Sequence, residues 1–239
     1  MKSENQTIPP TRYSRFARWI LDCFVEPSYR RAFHGTYFHG LSDSIGETAP
    51  ILVVSNHMSW WDAFVLLKLQ KVVRPRSAIY TIALEETLQA NPFLGRVGLI
   101  PLNPLHPSGL RSLLRRVREI LDRHRLKRQE SGPLFLFFPQ GKIRPAWAQP
   151  LEFKAGVGLL QKEFEDGGLI VPVGIMIEPL NQKRPSVFVS CGTPLPASSR
   201  LGHAALEKLV SVQLSFIAEE LRSKGEGVLQ DSQTWKQLL

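Results

Sequence analysis

Ile51-Leu52-Val53-Val54-Ser55-Asn56-His57-Met58-Ser59-Trp60-Trp61-Asp62 is the stretch on which the fold turns. Its first four residues are aliphatic without a break, and three of them are β-branched. Successive side chains of a strand point to opposite sides, so such a run predicts a strand over 51–54 that is buried on both faces. A polar, aromatic-rich loop follows, and a helix continues over 63–69. Layered α/β sheets place their sites in such a loop, at the carboxyl end of a buried strand.

Reading outward, apolar runs predict strands over 77–83, 100–102, 134–138 and 169–177. A short strand is expected over 33–40, a turn over 41–50, and an edge strand over the alternating residues 186–191. Periodicity near 3.6 predicts helices over 110–126, 158–165 and 203–222. Strands and helices interleave, and several strands are apolar on both faces. The expected class is α/β, with a mainly parallel central sheet flanked by helices. No internal repeat or low-complexity tract interrupts it.

Residues 1–10 read as a polar tail that ends in Pro9-Pro10. Over 11–25, Phe16, Trp19, Ile20, Cys23 and Phe24 share one side of a helical wheel, and Arg12, Arg15 and Arg18 take much of the other. This N-terminal amphipathic helical appendage has two readings. It lies in a bilayer interface with arginines on lipid phosphates, or it packs on the domain as a plain surface helix.

Composition narrows the partners. The chain has 239 residues, 43% of them apolar, and a net charge of +9, with an isoelectric point near 9.8. These values exclude global disorder. Two cysteines, Cys23 and Cys191, exclude a disulfide framework and a Cys-only zinc site. No run of 18 apolar residues exists: residues 16–25 are broken by Arg18 and Asp22, and 169–177 by Pro172. A membrane-spanning helix is therefore not expected. The first six residues are not followed directly by an apolar core, so no signal peptide is expected and the cytoplasmic side is the expected location. The basic excess, of which the run over 111–128 is one part, asks for an anionic partner. Nucleic acid fits poorly, because the basic residues are dispersed and the aromatics sit in apolar runs.

The chemistry centres on His57 and Asp62. On one continuous helix, five residues turn about 500° and leave the two side chains about 140° apart. They converge only if His57 lies in the strand-to-helix loop. A carboxylate on one imidazole nitrogen then fixes the tautomer and frees the other nitrogen as a general base. The same residues also fit a capping box, Ser59-Trp60-Trp61-Asp62, in which Asp62 serves the helix alone. No G-x-S-x-G nucleophile elbow is present, which argues against a serine hydrolase and leaves a substrate hydroxyl as the group to be activated. The remaining histidines show no metal-ligand spacing, and no metal is expected.

Asn56-His57-Met58-Ser59-Trp60-Trp61-Asp62 resembles the H-x4-D motif of the glycerolipid and lysophospholipid acyltransferase family, the PlsC-like or 1-acylglycerol-3-phosphate acyltransferase type. Further blocks match in order. Asn91-Pro92 through Gly98-Leu99-Ile100-Pro101-Leu102 is similar to the second block, and Phe138-Pro139-Gln140-Gly141 to the third. Phe153-Lys154-Ala155-Gly156 and the Pro172-centred segment 170–174 are similar to those that follow. The resemblance spans about residues 33–195. It implies that His57 is the general base, that Asp62 orients it, and that a fatty acyl group passes from acyl-CoA or acyl carrier protein to a lipid hydroxyl. It implies no cofactor beyond that co-substrate. Pro139, Gln140 and Gly141 are implied to form the acceptor site, with Lys142 and Arg144 placed to meet a phosphate or left as solvated loop charge. Asn56, Ser59, Trp60, Trp61, Gly98 and Pro172 are implied in structure or in an acyl groove; Trp60 and Trp61 alternatively pack beside the first helix. The expected organisation is a tail and membrane-docking helix over 1–32 and an acyltransferase domain over 33–239. The expected setting is the cytoplasmic face of an anionic membrane, as a peripheral protein.

Three departures bear on the acceptor. The second block commonly ends in arginine, and here reads Leu102-Asn103-Pro104. Gln140 replaces the usual glutamate, and Lys142-Ile143 replaces Thr-Arg, with Arg144 one place later. An amide both donates and accepts, whereas an ionised carboxylate only accepts. A glycolipid or other membrane alcohol is therefore an alternative acceptor to lysophosphatidate.

Overall fold

A computed structural model describes residues 11–40, 46–127 and 131–238. The tail over 1–10 lies outside them, as do the first half of the expected 41–50 turn and the end of the 111–128 run. The strands are β1 (Thr36–His39), β2 (Ile51–Ser55), β3 (Ile79–Leu84), β4 (Leu99–Leu102), β5 (Leu134–Phe137), β6 (Leu169–Glu178), β7 (Ser186–Cys191), β8 (Leu195–Pro196) and β9 (Lys236–Leu238). The helices are α1 (Arg15–Ala32), α2 (Asp62–Val73), α3 (Glu85–Ala90), α4 (Pro107–Leu126), α5 (Gly156–Lys162) and α6 (His203–Lys224).

One sheet runs β4-β3-β5-β2-β6-β7-β1-β9, and β8 pairs with β6. From β4 to β6 every pair is parallel. The sheet is therefore mainly parallel and flanked by helices on both faces. Alternation along β2 explains why. Leu52 and Val54 join the core under α4, α5 and α6, while Ile51 and Val53 join the core under α1 and α2. Phe135 and Phe137 against Leu134 and Leu136 do the same on β5. Both faces are apolar because both are covered.

Residues 186–191 do not form an edge strand. β7 is internal, and all six of its residues are buried. β1 returns to pair with it in parallel, Thr36 opposite Val187 and His39 opposite Ser190, and β9 then covers β1. These partners are remote or short in sequence, so alternation in residues 186–191 carries no sign of them. Pro172 is tolerated inside β6 where its outer partner changes from β8 to β7, and its carbonyl accepts the Gly192 N–H at 2.8 Å.

The N-terminal helix starts later and ends later than its wheel pattern predicts. Residues 11–14 are extended and tethered: Thr11 Oγ1 donates to Leu99 O at 2.8 Å, and Arg12 N and Ser14 N donate to Gly95 O and Arg96 O. Ser14 then caps α1 through its side chain. Much of the polar side of α1 faces the protein, although Arg15 stays exposed. Arg18 is buried and paired with Asp22, Asp22 meets Lys71 at 3.0 Å, and Glu26 meets Lys68 at 2.6 Å. These last two pairs tie α1 to α2 and carry the helix on to Tyr29, which is buried. The apolar stripe is left outside, with Phe16 69%, Trp19 61% and Phe24 75% exposed. Surface helices usually bury that stripe. Among the described residues, no helix is long and apolar enough to cross a membrane.

Candidate active site

β2 ends at Ser55, and α2 begins at Asp62. His57 therefore sits in the loop between them, at the carboxyl edge of the parallel strands. Asn56 anchors the start of that loop: its side chain exchanges two hydrogen bonds with the backbone of Ile175, at 2.9 and 2.8 Å. It acts as one more rung between β2 and β6, and has no free polar group to offer a substrate.

The loop then folds back on the first residue of α2. Asp62 Oδ2 is 2.8 Å from His57 Nδ1 and accepts the Met58 and Ser59 N–H groups at 2.7 and 2.9 Å. Ser59 Oγ accepts the Trp61 N–H at 3.1 Å. The carboxylate thus closes the turn and holds the imidazole, but the full capping box does not form: Ser59 Oγ accepts from Trp61 and not from Asp62, and α2 has no side-chain cap. An oxygen that already accepts from two backbone amides is an acceptor toward the ring as well, so Nδ1 carries the proton and Nε2 has a lone pair. Among the described residues Nε2 has no hydrogen-bond partner, and the ring is only partly buried. Phe138, just past β5, stacks on the imidazole with centroids 4.7 Å apart and planes 26° apart. Sequence reasoning missed this contact, although Phe138 stood in the third block.

Asp62 is fully buried, and its Oδ1 has no partner among the described residues. Tyr29 lies near it. Burial pushes the pKa of the Tyr29 hydroxyl up, and that hydroxyl pairs with Thr36 Oγ1 at 2.8 Å. The group stays neutral beside the carboxylate.

Gln140 differs from its expected place at the acceptor pocket. Its side chain is 1% exposed, and its Oε1 accepts the backbone N–H of His57 at 2.5 Å. It holds the His57 loop, which a buried amide oxygen does without burying a charge. Pro139 is buried as well. Gly141 turns the chain with φ +67, closed by its N–H on Phe138 O. Its positive φ suits glycine. Arg144 N then donates to His57 O at 2.8 Å, which locks the two loops together. Lys142 and Arg144 follow on the loop that meets His57 but do not stand free. Both pair with Glu152, at 3.0 and 2.9 Å. Nothing in the residue pattern marked Glu152, since its partners sit eight and ten positions away across a loop.

Trp60 and Trp61 differ in their surroundings. Trp61 meets Tyr29 and Phe33 edge-on, each with centroids 5.5 Å apart, and so packs beside α1. Trp60 leans on Trp61 and stays exposed. Gly98 serves the backbone: at φ +98, a Cβ there would lie 2.3 Å from Ile79 O. Its place is at the amino end of β4, away from His57. A concavity of about 550 Å³, lined by Tyr13, Arg76, Arg123 and His124, also opens at the amino ends of the strands and takes no part in the site.

The arrangement is an imidazole held by a buried carboxylate at the carboxyl edge of a parallel sheet. The structure is similar to the crystal structure of the 1-acyl-sn-glycerophosphate acyltransferase PlsC from Thermotoga maritima, with a TM-score of 0.56 at 21% identity. The match covers 87% of this chain and 81% of that one. No curated protein sequence matches the chain. The family model described as Acyltransferase matches residues 36–176. That span is more than half of the chain and runs from β1 into β6 through His57, Asp62 and the Gln140 turn, so the chain belongs to the acyltransferase family.

Proposed function

We propose that the protein transfers a fatty acyl group from acyl-CoA or acyl carrier protein to the hydroxyl of a membrane lipid, with His57 as general base. The observation that carries this reading is the His57 Nδ1–Asp62 Oδ2 hydrogen bond at 2.8 Å, made by a carboxylate that is itself held by two backbone amides. Nε2 takes the proton of the lipid hydroxyl as its oxygen attacks the thioester carbonyl. The C–O bond forms, the C–S bond breaks, and the leaving thiolate recovers the proton from Nε2. Asp62 steadies the imidazolium that exists between those two transfers.

The enzyme works as a peripheral protein on the cytoplasmic face of an anionic membrane. Support comes from α1, whose ion pairs point much of its polar side inward and leave Phe16, Trp19 and Phe24 exposed. An exposed aromatic stripe within a protein of net charge +9 suits an interface where apolar groups enter and basic groups meet lipid phosphates. Residues 1–32 then serve as the docking segment, and 33–239 as the acyltransferase domain.

The test follows labelled acyl-CoA and labelled acyl carrier protein into a total lipid extract, with wild type beside His57→Ala. A labelled lipid is expected from wild type only. Turnover by His57→Ala near that of wild type, with the fold intact, refutes the assignment of the base.

A further inference from the structure

Resting on the acyl-transfer reading above, we infer that Glu152 selects the acceptor: its carboxylate stands where an acceptor phosphate would sit between Lys142 and Arg144, so the site favours a lipid alcohol that carries no phosphomonoester.

The two cations belong to the site. Arg144 is bound through its backbone N–H to His57 O at 2.8 Å, and its guanidinium also reaches Pro150 O at 3.2 Å. Lys142 precedes it by two residues on the same loop. Left alone, the pair would present two positive charges on the loop that is hydrogen-bonded to His57, a fitting seat for a phosphate that carries a charge of about −1.5 to −2. Glu152 takes both of them, at 3.0 Å and 2.9 Å. The hydrogen bond from Lys142, helped by the charge of Arg144, holds the Glu152 carboxyl below the usual carboxylate range, so it is ionised at neutral pH.

Glu152 is not a free surface charge. Its flanking residues Leu151 and Phe153 are buried, and its own backbone is held at φ 61. A non-glycine residue in the left-handed region is uncommon and persists where its surroundings impose it. Exposed ion pairs contribute little to stability, so the pair does not account for a strained residue. A phosphomonoester must break both pairs and approach a carboxylate to reach the cations. A neutral glycerol or sugar headgroup meets no such barrier.

The experiment compares kcat/KM for two acceptors that share one oleoyl chain, monooleoylglycerol and its 3-phosphate, in mixed micelles. Glu152→Asn removes the charge with a residue that suits the left-handed backbone, and Glu152→Asp keeps the charge. Wild type and Glu152→Asp are expected to prefer monooleoylglycerol. In Glu152→Asn the ratio is expected to move toward the phosphate lipid by about tenfold or more, through its KM, where tenfold corresponds to about 1.4 kcal/mol. Adding Lys142→Gln to that variant should cancel the gain. A ratio unchanged within about twofold in Glu152→Asn overturns the proposal; a structural role alone would lower both acceptors equally. Wild-type preference for the phosphate lipid, or a gain that survives Lys142→Gln, also overturns it. No labelled lipid from wild type with either acceptor or with the total lipid extract refutes the acyl-transfer reading itself, and the proposal falls with it.

Discussion

Asp62→Asn separates the two tasks of one carboxylate. In the native protein Oδ2 gathers three donors: His57 Nδ1 at 2.8 Å, Met58 N at 2.7 Å and Ser59 N at 2.9 Å. An asparagine of the same shape places its amide oxygen there and its NH2 where Oδ1 lies, a position that already lacks a partner. Turning three charge-assisted bonds into neutral ones costs about 1 kcal/mol each. Burying one fewer charge offsets part of that. The net loss of stability is on the order of 1–2 kcal/mol, small enough for a folded protein. Catalysis loses more, because the imidazolium formed during transfer no longer faces a negative charge, and general-base assistance is worth about 10²–10⁴ in rate. We expect turnover to fall by about 100-fold or more. Asp62→Ala behaves differently: it strands the Met58 and Ser59 amides, at about 1–3 kcal/mol each, and should threaten folding itself. The assay pairs initial rates of acyl transfer with urea unfolding of the same samples, with the slope checked for constancy. If Asp62→Asn keeps more than a tenth of wild-type turnover, or loses rate only as far as it loses stability, the carboxylate is a helix cap and the orientation argument is wrong.

Three further expectations concern Gln140, the exposed side of α1 and the two cysteines. Gln140→Leu removes the acceptor of the His57 N–H and should cost about 1–3 kcal/mol with a clear loss of turnover; unchanged kinetics in a thermally intact variant would show that Gln140 does not hold the base loop. Phe16, Trp19 and Phe24 replaced together by serine should weaken sedimentation with anionic vesicles while the melting temperature holds, because all three are exposed in the fold; wild-type vesicle binding would refute α1 as the docking element. Cys23 shares that exposed side, and Cys191 is buried with its thiol pushed up to about 12 by desolvation. A thiol reagent at pH 8 should therefore label Cys23 alone in the folded protein, and vesicles should protect it.

Local sequence was most informative where one element suffices. The run Ile51-Leu52-Val53-Val54 is apolar at every position, and only a strand covered on both faces uses such a run. His57 and Asp62 were legible as a pair because the distance between them is set by a single strand-to-helix turn. Glu152 was not, since its meeting with Lys142 and Arg144 depends on how the loop over 141–153 closes. The interior place of β7 was hidden for a similar reason: β1 lies about 150 residues earlier, and alternation does not record which strand covers an edge.

By itself, then, the sequence determined the α/β class and the order of its main strands and helices, and it brought His57 and Asp62 forward as the candidate pair. These follow from short-range periodicity and from the few residue types able to move a proton. Only the tertiary structure decided that Arg18, Asp22 and Glu26 of α1 turn toward the protein, that the amide of Gln140 is committed to the His57 backbone, and that Glu152 claims the two cations of the following loop. Periodicity tells which side chains share a face; which face meets the core depends on partners such as Lys68 and Lys71 that are distant in sequence and are chosen only when the chain folds.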